Sequence, residues 1–98
     1  MAILMDYRTR IKICGVRRPE DALAAARAGA DAVGLVFHPA APRHISAEAA
    51  REILAVLPAF VTPVGLFVDA EIGALTRTAE TLGLRHVQLN GNETPEYV

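Results

Sequence analysis

The sequence predicts an α/β fold, a partial (β/α)8 TIM barrel of about three βα units plus a fourth strand. Three observations carry this. Strand-like and helix-like patterns alternate from residue 10 to the end of the chain. Val33-Gly34-Leu35-Val36-Phe37 is echoed by Val64-Gly65-Leu66-Phe67-Val68, which suits repeated strand–helix units with parallel strands. The two registers of the strands also differ in character. One holds Ile11, Ile13, Val33, Leu35, Phe37, Val64, Leu66, Val68, Val87 and Leu89, all bulky and apolar. The other holds Lys12, Cys14, Gly34, Val36, Gly65, Phe67, Asp69, His86, Gln88 and Asn90, a mixture of small and polar residues. An open, doubly wound sheet is covered by helices on both faces, so both registers would read apolar. Burying Lys12 and Gln88 under a helix costs roughly a few kcal/mol each unless they are paired. A barrel instead gives the mixed register a lumen. A whole barrel needs eight strands and about 250 residues, so 98 residues supply about half of one. Its first and last strands are expected to be open edges.

Each element has its own local reason. The first strand is expected over 10–14, where Arg10-Ile11-Lys12-Ile13-Cys14 alternates. Pro19 suits a first helical position, Glu20 and Asp21 suit a helix N-terminus, and Gly29 supplies the stop. The second strand is expected over 32–37, followed by a polar, proline-containing loop over 38–45. Ser46 is the expected N-cap of the second helix, whose stripe is Ala50, Ile53, Leu54 and Leu57, and Pro58 ends it. The third strand is expected over 63–68. The third helix, over 71–82, carries Ile72, Leu75, Ala79 and Leu82, and Gly83 ends it. The fourth strand covers 86–89, and Thr94-Pro95-Glu96 reads as a further helix start. Residues 1–9 read as an N-terminal extension and 10–98 as the half-barrel domain. Met1-Ala2-Ile3-Leu4-Met5 is apolar but short and is interrupted by Asp6, unlike a signal peptide or a spanning helix.

Composition narrows the classes. The chain is 52% hydrophobic, ample for a core and too rich for disorder. The formal charge of −1 and the scattered basic residues suggest neither nucleic acid nor an anionic membrane as partner. A single cysteine allows no internal disulfide, which fits a cytoplasmic protein. Three scattered histidines and one cysteine have no metal-ligand spacing, and no phosphate-binding glycine loop is present.

In such barrels the active site lies at the C-terminal ends of the strands. That rule selects Cys14, the 38–45 loop, Asp69, and Asn90-Gly91. Lys12 and Cys14 are two residues apart and share a face, and a cation beside a thiol favours the reactive thiolate. The alternative is that Cys14 is a small buried hydrophobe. Arg43 follows Pro42 on a stiffened loop that suits capture of a carboxylate or phosphate; otherwise it is a solvated surface arginine. His38 and His44 are acid–base candidates or plain loop histidines. Asp69 either caps the third helix or takes part in chemistry.

Lys12-Ile13-Cys14-Gly15, Gly29-Ala30-Asp31-Ala32-Val33-Gly34-Leu35-Val36-Phe37, Pro42-Arg43-His44-Ile45-Ser46, Val64-Gly65-Leu66-Phe67-Val68 and Val87-Gln88-Leu89-Asn90-Gly91 together resemble phosphoribosylanthranilate isomerase, in order and spacing. The resemblance covers 10–98. It implies a (β/α)8 barrel of tryptophan biosynthesis and an Amadori rearrangement of N-(5-phosphoribosyl)anthranilate to 1-(o-carboxyphenylamino)-1-deoxyribulose 5-phosphate, with no cofactor or metal. It implies Cys14 as the general base and Arg43 as the residue that holds the anthranilate carboxylate. Lys12, Gln88 and Asn90 join Arg43 as expected substrate-binding residues. The sequence departs from the family at Asn90, where histidine is usual, so no proton can be carried there. The family's general acid, an aspartate, and its phosphate site lie in the second half of the barrel, and Asp69 is on the wrong strand to stand in for that acid. The expected partners are the small-molecule substrate and either the complementary half-barrel or a second copy of the chain. The alternatives are a non-catalytic, self-associating half-barrel and another phosphate-handling barrel enzyme.

Overall fold

The computed structural model describes residues 9–93 and residue 96. Most of the proposed N-terminal extension and the Thr94-Pro95-Glu96 helix start therefore lie outside the described residues. Seven elements alternate along the chain: β1 (Lys12–Cys14), α1 (Pro19–Arg27), β2 (Ala32–Val36), α2 (Ala47–Val56), β3 (Thr62–Phe67), α3 (Ile72–Leu82) and β4 (Val87–Leu89). The strands form one sheet in the order β1-β2-β3-β4, every neighbouring pair parallel. None of the helices among the described residues is long and apolar enough to cross a membrane.

The helix boundaries follow local chemistry. In α1, Pro19 stands at the start and Glu20 and Asp21 fill the first turn. The chain leaves that helix through Gly29 at φ +98°, a left-handed conformation that glycine adopts without steric cost. In α2, Ser46 is the N-cap, its hydroxyl accepting from the Ala49 N–H at 3.1 Å. Leu57, before Pro58, is extended at ψ 129°, because the proline ring disfavours helical geometry in the preceding residue. In α3 the cap is Glu71, whose carboxylate accepts from the Gly73 and Ala74 N–H groups, both at 2.9 Å. Asp69 is therefore not the helix cap. It sits two residues too early, and at φ 47° its own backbone is turning.

The core lies between the sheet and the helices. Val33 and Leu35 of β2, Ala22 of α1, and Ala50 and Ile53 of α2 are wholly buried. Val16, Ile45 and Val61 complete the cluster. Leu54 and Leu57 pack against it as the α2 stripe requires. The α3 stripe is covered less well. No residue of α3 is buried, and Ile72 is 51% exposed. Of the other helices, α3 makes its main contact with α2.

The register corrects one expectation. Cys14 pairs with Gly34, Gly34 with Val64, and Leu66 with Gln88. Paired residues in a parallel sheet share a face. The lumen face is therefore Lys12, Cys14, Gly34, Val36, Val64, Leu66 and Gln88, while Gly65 and Phe67 face the helices. The two faces of β3 are the reverse of what the sequence suggested. The echo of Val33-Gly34-Leu35 in Val64-Gly65-Leu66 invites a pairing of Gly34 with Gly65, but the sheet pairs Gly34 with Val64. A one-residue slip exchanges every side chain of a strand between faces. The ring of Phe67 confirms the outward direction: it stacks on Phe37, 5.4 Å between centroids.

Replacing Ile53 with alanine is expected to cost about 2–5 kcal/mol of stability, and Ser46 with alanine about 1 kcal/mol. Denaturant unfolding of both variants beside the parent chain measures this.

Candidate functional site

The β1 strand ends in a turn made by Gly15 at φ +83°. The carbonyl of Gly34 accepts from both Gly15 N–H (3.0 Å) and Val16 N–H (3.1 Å), so β2 holds the turn in place. The loop after β2 folds back on the sheet. His44 N–H donates to Ala41, Ala41 N–H to His38, and Ile45 N–H to Val36. This brings Arg43 across to β1. Its Nη1 donates to the Cys14 carbonyl at 3.3 Å. The guanidinium lies over Gly15 so closely that a Cβ there would stand 2.6 Å from Nε. The left-handed φ favours glycine here, and a side chain would also push aside the exposed end of Arg43.

A cavity of about 300 Å³ opens at this end of the sheet. Its walls include Cys14, Arg43, Asn90 and His38, with Val36, Leu66 and Val68 as the apolar part. Three of the five expected site residues thus share one cavity. Lys12 and Gln88 do not line it. They lie one lumen position deeper on β1 and β4, where the Lys12 ammonium hydrogen-bonds to Gln88 Oε1. The pair joins the two outermost strands of the sheet across the lumen, and each polar group satisfies the other in a part-buried setting.

Asp69 and the start of the next loop form a separate cluster. The Glu93 carboxylate accepts from Asp69 N–H at 2.8 Å and from Gly91 N–H at 2.9 Å. Asp69 Oδ1 accepts from Asn92 N–H at 2.5 Å. Asn90 N–H, in turn, donates to the Phe67 carbonyl at 3.0 Å. These bonds tie the end of β3 to the end of β4 and fix the loop that carries Asn90. Asp69 thus serves the backbone of the neighbouring loop. Burial pushes the Glu93 carboxyl up, but hydrogen bonds from its own N–H and from those of Asp69 and Gly91 outweigh this and hold it below the usual glutamate range.

The two histidines differ in reach. His38 borders both the Cys14 cavity and a larger neighbouring one of about 540 Å³, whereas His44 lines only the larger of these two, with Phe37, Phe67 and Glu71. Phe37 and Phe67 line the larger cavity from the helix face, and His38 and Val68 form the wall it shares with the Cys14 cavity. Among the described residues no group of three or more His, Cys, Asp or Glu side chains could hold a metal. Sequence reasoning missed Leu66 and Val68 as cavity walls, because it placed them on the helix face. It also missed Glu93, whose role depends on two loops 24 residues apart meeting in space.

A family model described as N-(5'-phosphoribosyl)anthranilate (PRA) isomerase matches residues 11–98. The chain belongs to the PRA isomerase family. It is 56% identical over 89 residues to the PRA isomerase of Geobacter sp. (strain M21), a match covering 91% of this chain and 44% of that protein. It is also 56% identical over 89 residues to that of Halorhodospira halophila, covering 91% and 43%. The solved PRA isomerase of Thermotoga maritima superposes with a TM-score of 0.89 at 47% identity, over 92% of this chain and 44% of that one. The Thermus thermophilus structure gives 0.87 at 45%, over 91% and 44%. A PRA isomerase in complex with reduced 1-(o-carboxyphenylamino)-1-deoxyribulose 5-phosphate also matches, at TM-score 0.89 and 47% identity, over 92% and 46%. The chain thus spans less than half the length of these relatives, and its sheet is curved as part of a (β/α)8 barrel.

Because the folded-state pKa of Glu93 is lowered, the Asp69 and Gly91 contacts are fully present above its unfolded value of about 4.3 and are lost as pH falls through the folded value. Hydrogen exchange of the Asp69 and Gly91 amides should show protection that is flat above the ordinary glutamate range and declines only as pH falls below it. Glu93→Gln, which keeps a single acceptor oxygen, should flatten that pH dependence.

Proposed function

We propose that these residues supply one half of a PRA isomerase active site, the half holding the general base and the anthranilate carboxylate. The observation that carries the reading is the meeting of Cys14, Arg43 and Asn90 around one cavity at the C-terminal ends of parallel strands, in a chain of this family. In the Amadori rearrangement of N-(5-phosphoribosyl)anthranilate, a general acid protonates the ring oxygen while the anilino nitrogen's lone pair opens the ribose ring. The resulting iminium makes the C2′ proton acidic, and the Cys14 thiolate removes it. The enol so formed becomes the ketone of the product. Arg43 holds the carboxylate through its planar fork, exchanging its present bond to the Cys14 carbonyl for the substrate. Asn90 hydrogen-bonds to substrate without transferring a proton. Lys12 and Gln88 act from beneath the cavity by bracing β1 against β4. The acid and the phosphate site come from the complementary half-barrel, and the protein works in the cytoplasm.

The test is turnover of phosphoribosylanthranilate, followed by its fluorescence, for residues 1–98 alone and after addition of a complementary family half-barrel. The chain alone should stay at background, and the complemented sample should turn over. Cys14→Ser should then lower kcat by about 10²-fold or more, and Arg43→Ala should act mainly on KM. Turnover by the chain alone that Cys14→Ser abolishes would overturn the half-site reading. Undiminished turnover in complemented Cys14→Ser would overturn the base assignment.

A second reading, a self-associating half-barrel without catalysis, is favoured by one observation. Ile11, Ile13 and Val87, on or beside the two edge strands, are 48%, 44% and 41% exposed. Size-exclusion chromatography separates the readings: concentration-dependent dimers without turnover under any complementation support the second.

A further inference from the structure

We propose that Gly34 is the positioning residue for Cys14: its missing side chain is the slot that fixes the direction of the thiol. The inference rests on the reading of Cys14 as the general base. Gly34 pairs with Cys14 across β1 and β2, so both face the lumen. A Cβ built on Gly34 would lie 2.9 Å from Cys14 Sγ, 3.1 Å from its Cα and 3.4 Å from its Cβ. Sγ is therefore turned sideways toward β2 and fills the space that any other residue at position 34 would claim. The conformation of the backbone does not explain this glycine. The positive-φ glycines among the described residues are Gly15, Gly29 and Gly83, and Gly34 is an ordinary strand residue. Glycine in a strand interior gives up packing and chain entropy, and here the return is room for the Cys14 sulfur and for the close approach of its Cα.

Two further features make the slot a setting for chemistry. The Gly34 carbonyl holds the Gly15 and Val16 N–H groups, so the same residue fixes the backbone just beyond Cys14 and the direction of its side chain. The neighbours of Cys14 in the cavity, Arg43 and Val36, come from the same strand–loop unit as Gly34. A thiol held in one staggered position stands at a set distance from whatever Arg43 holds. A thiol free to rotate does not, and misplacing a reacting group by about 1 Å can cost about 10²-fold in rate.

Gly34→Ala tests this in the 98-residue chain. The added methyl should evict Sγ from the slot into the open lumen, switch the Cys14 Hα–Hβ couplings to another rotamer, and speed alkylation by iodoacetamide about fivefold or more. Gly65→Ala is the control. Its Cβ would come equally close to a neighbour, 2.9 Å from Leu84 Cδ1, but on the helix face. It should lower stability while leaving Cys14 couplings and alkylation unchanged. A folded Gly34→Ala chain with parental couplings and an alkylation rate within about twofold of Gly65→Ala overturns the proposal. If Gly34→Ala does not fold, the double variant with Cys14→Ala decides. Removing Sγ should recover part of the cooperative transition, the 3.1 Å approach to the Cys14 Cα costing the remainder, because contacting residues couple non-additively, and a double variant with no recovery overturns the proposal. Neither readout depends on isomerase turnover, so failure of the slot and failure of the base assignment are told apart.

Discussion

The parallel pairing of four short strands fixes everything else in this molecule. Cys14 opposite Gly34, Gly34 opposite Val64 and Leu66 opposite Gln88 decide which side chains meet the helices and which meet each other. Because side chains alternate with a period of two, register converts directly into chemistry. The helix side receives Val33 and Leu35, wholly buried against Ala22, Ala50 and Ile53. The lumen side receives an ammonium, a thiol, two amides and a set of aliphatic spacers. The helices hold the sheet by burying its outer face. The Lys12–Gln88 bond lies on the inner face and links the first strand to the fourth.

Much of this could be read in advance, and the reasons are local. The starts of α1 and α2 are written in Pro19 and Ser46, whose fixed φ and capping hydroxyl act within a few residues. The end of α3 is written in Gly83, at φ +69°. The lumen placement of Lys12, Cys14 and Gln88 follows from alternation within one strand. Strand pairing between segments is not local, and there the sequence misled. The Val-Gly-Leu echo in β2 and β3 is a likeness of composition, whereas the pairing offset is set by how far the α2 connection carries the chain. The faces of β3 came out reversed for that reason. The alternatives of a cap or a catalyst for Asp69 had the same weakness. Glu71, two residues on, offers both carboxylate oxygens to the first turn of α3, leaving Asp69 to meet a loop that comes much later in the chain.

The site shows a division of labour between backbone and side chains. Backbone hydrogen bonds set the ends of β1 and β2, and the Glu93 carboxylate sets the ends of β3 and β4. The polar side chains of the cavity are then displayed by a frame that does not depend on them. Arg43 is the exception, since it lies on the frame and bonds to the Cys14 carbonyl. A ligand carboxylate would therefore replace one hydrogen-bond acceptor with a charged and bidentate one, and charge-assisted bonds of that kind are roughly twice as strong as neutral ones.

The contact between Gly15 and Arg43 also has a meaning for how this sequence can drift. Gly15 is left-handed, and the space above its α-carbon is filled by the arginine. Every single-base change that alters a glycine codon to another amino acid adds a Cβ, so each one-step neighbour of this sequence at position 15 meets strain and collision at once. The guanidinium is the end of a flexible side chain and can shift, but a shift breaks its bond to the Cys14 carbonyl, and the backbone strain at position 15 stays. Positions 15 and 43 thus constrain one another in space, although 27 residues of chain lie between them.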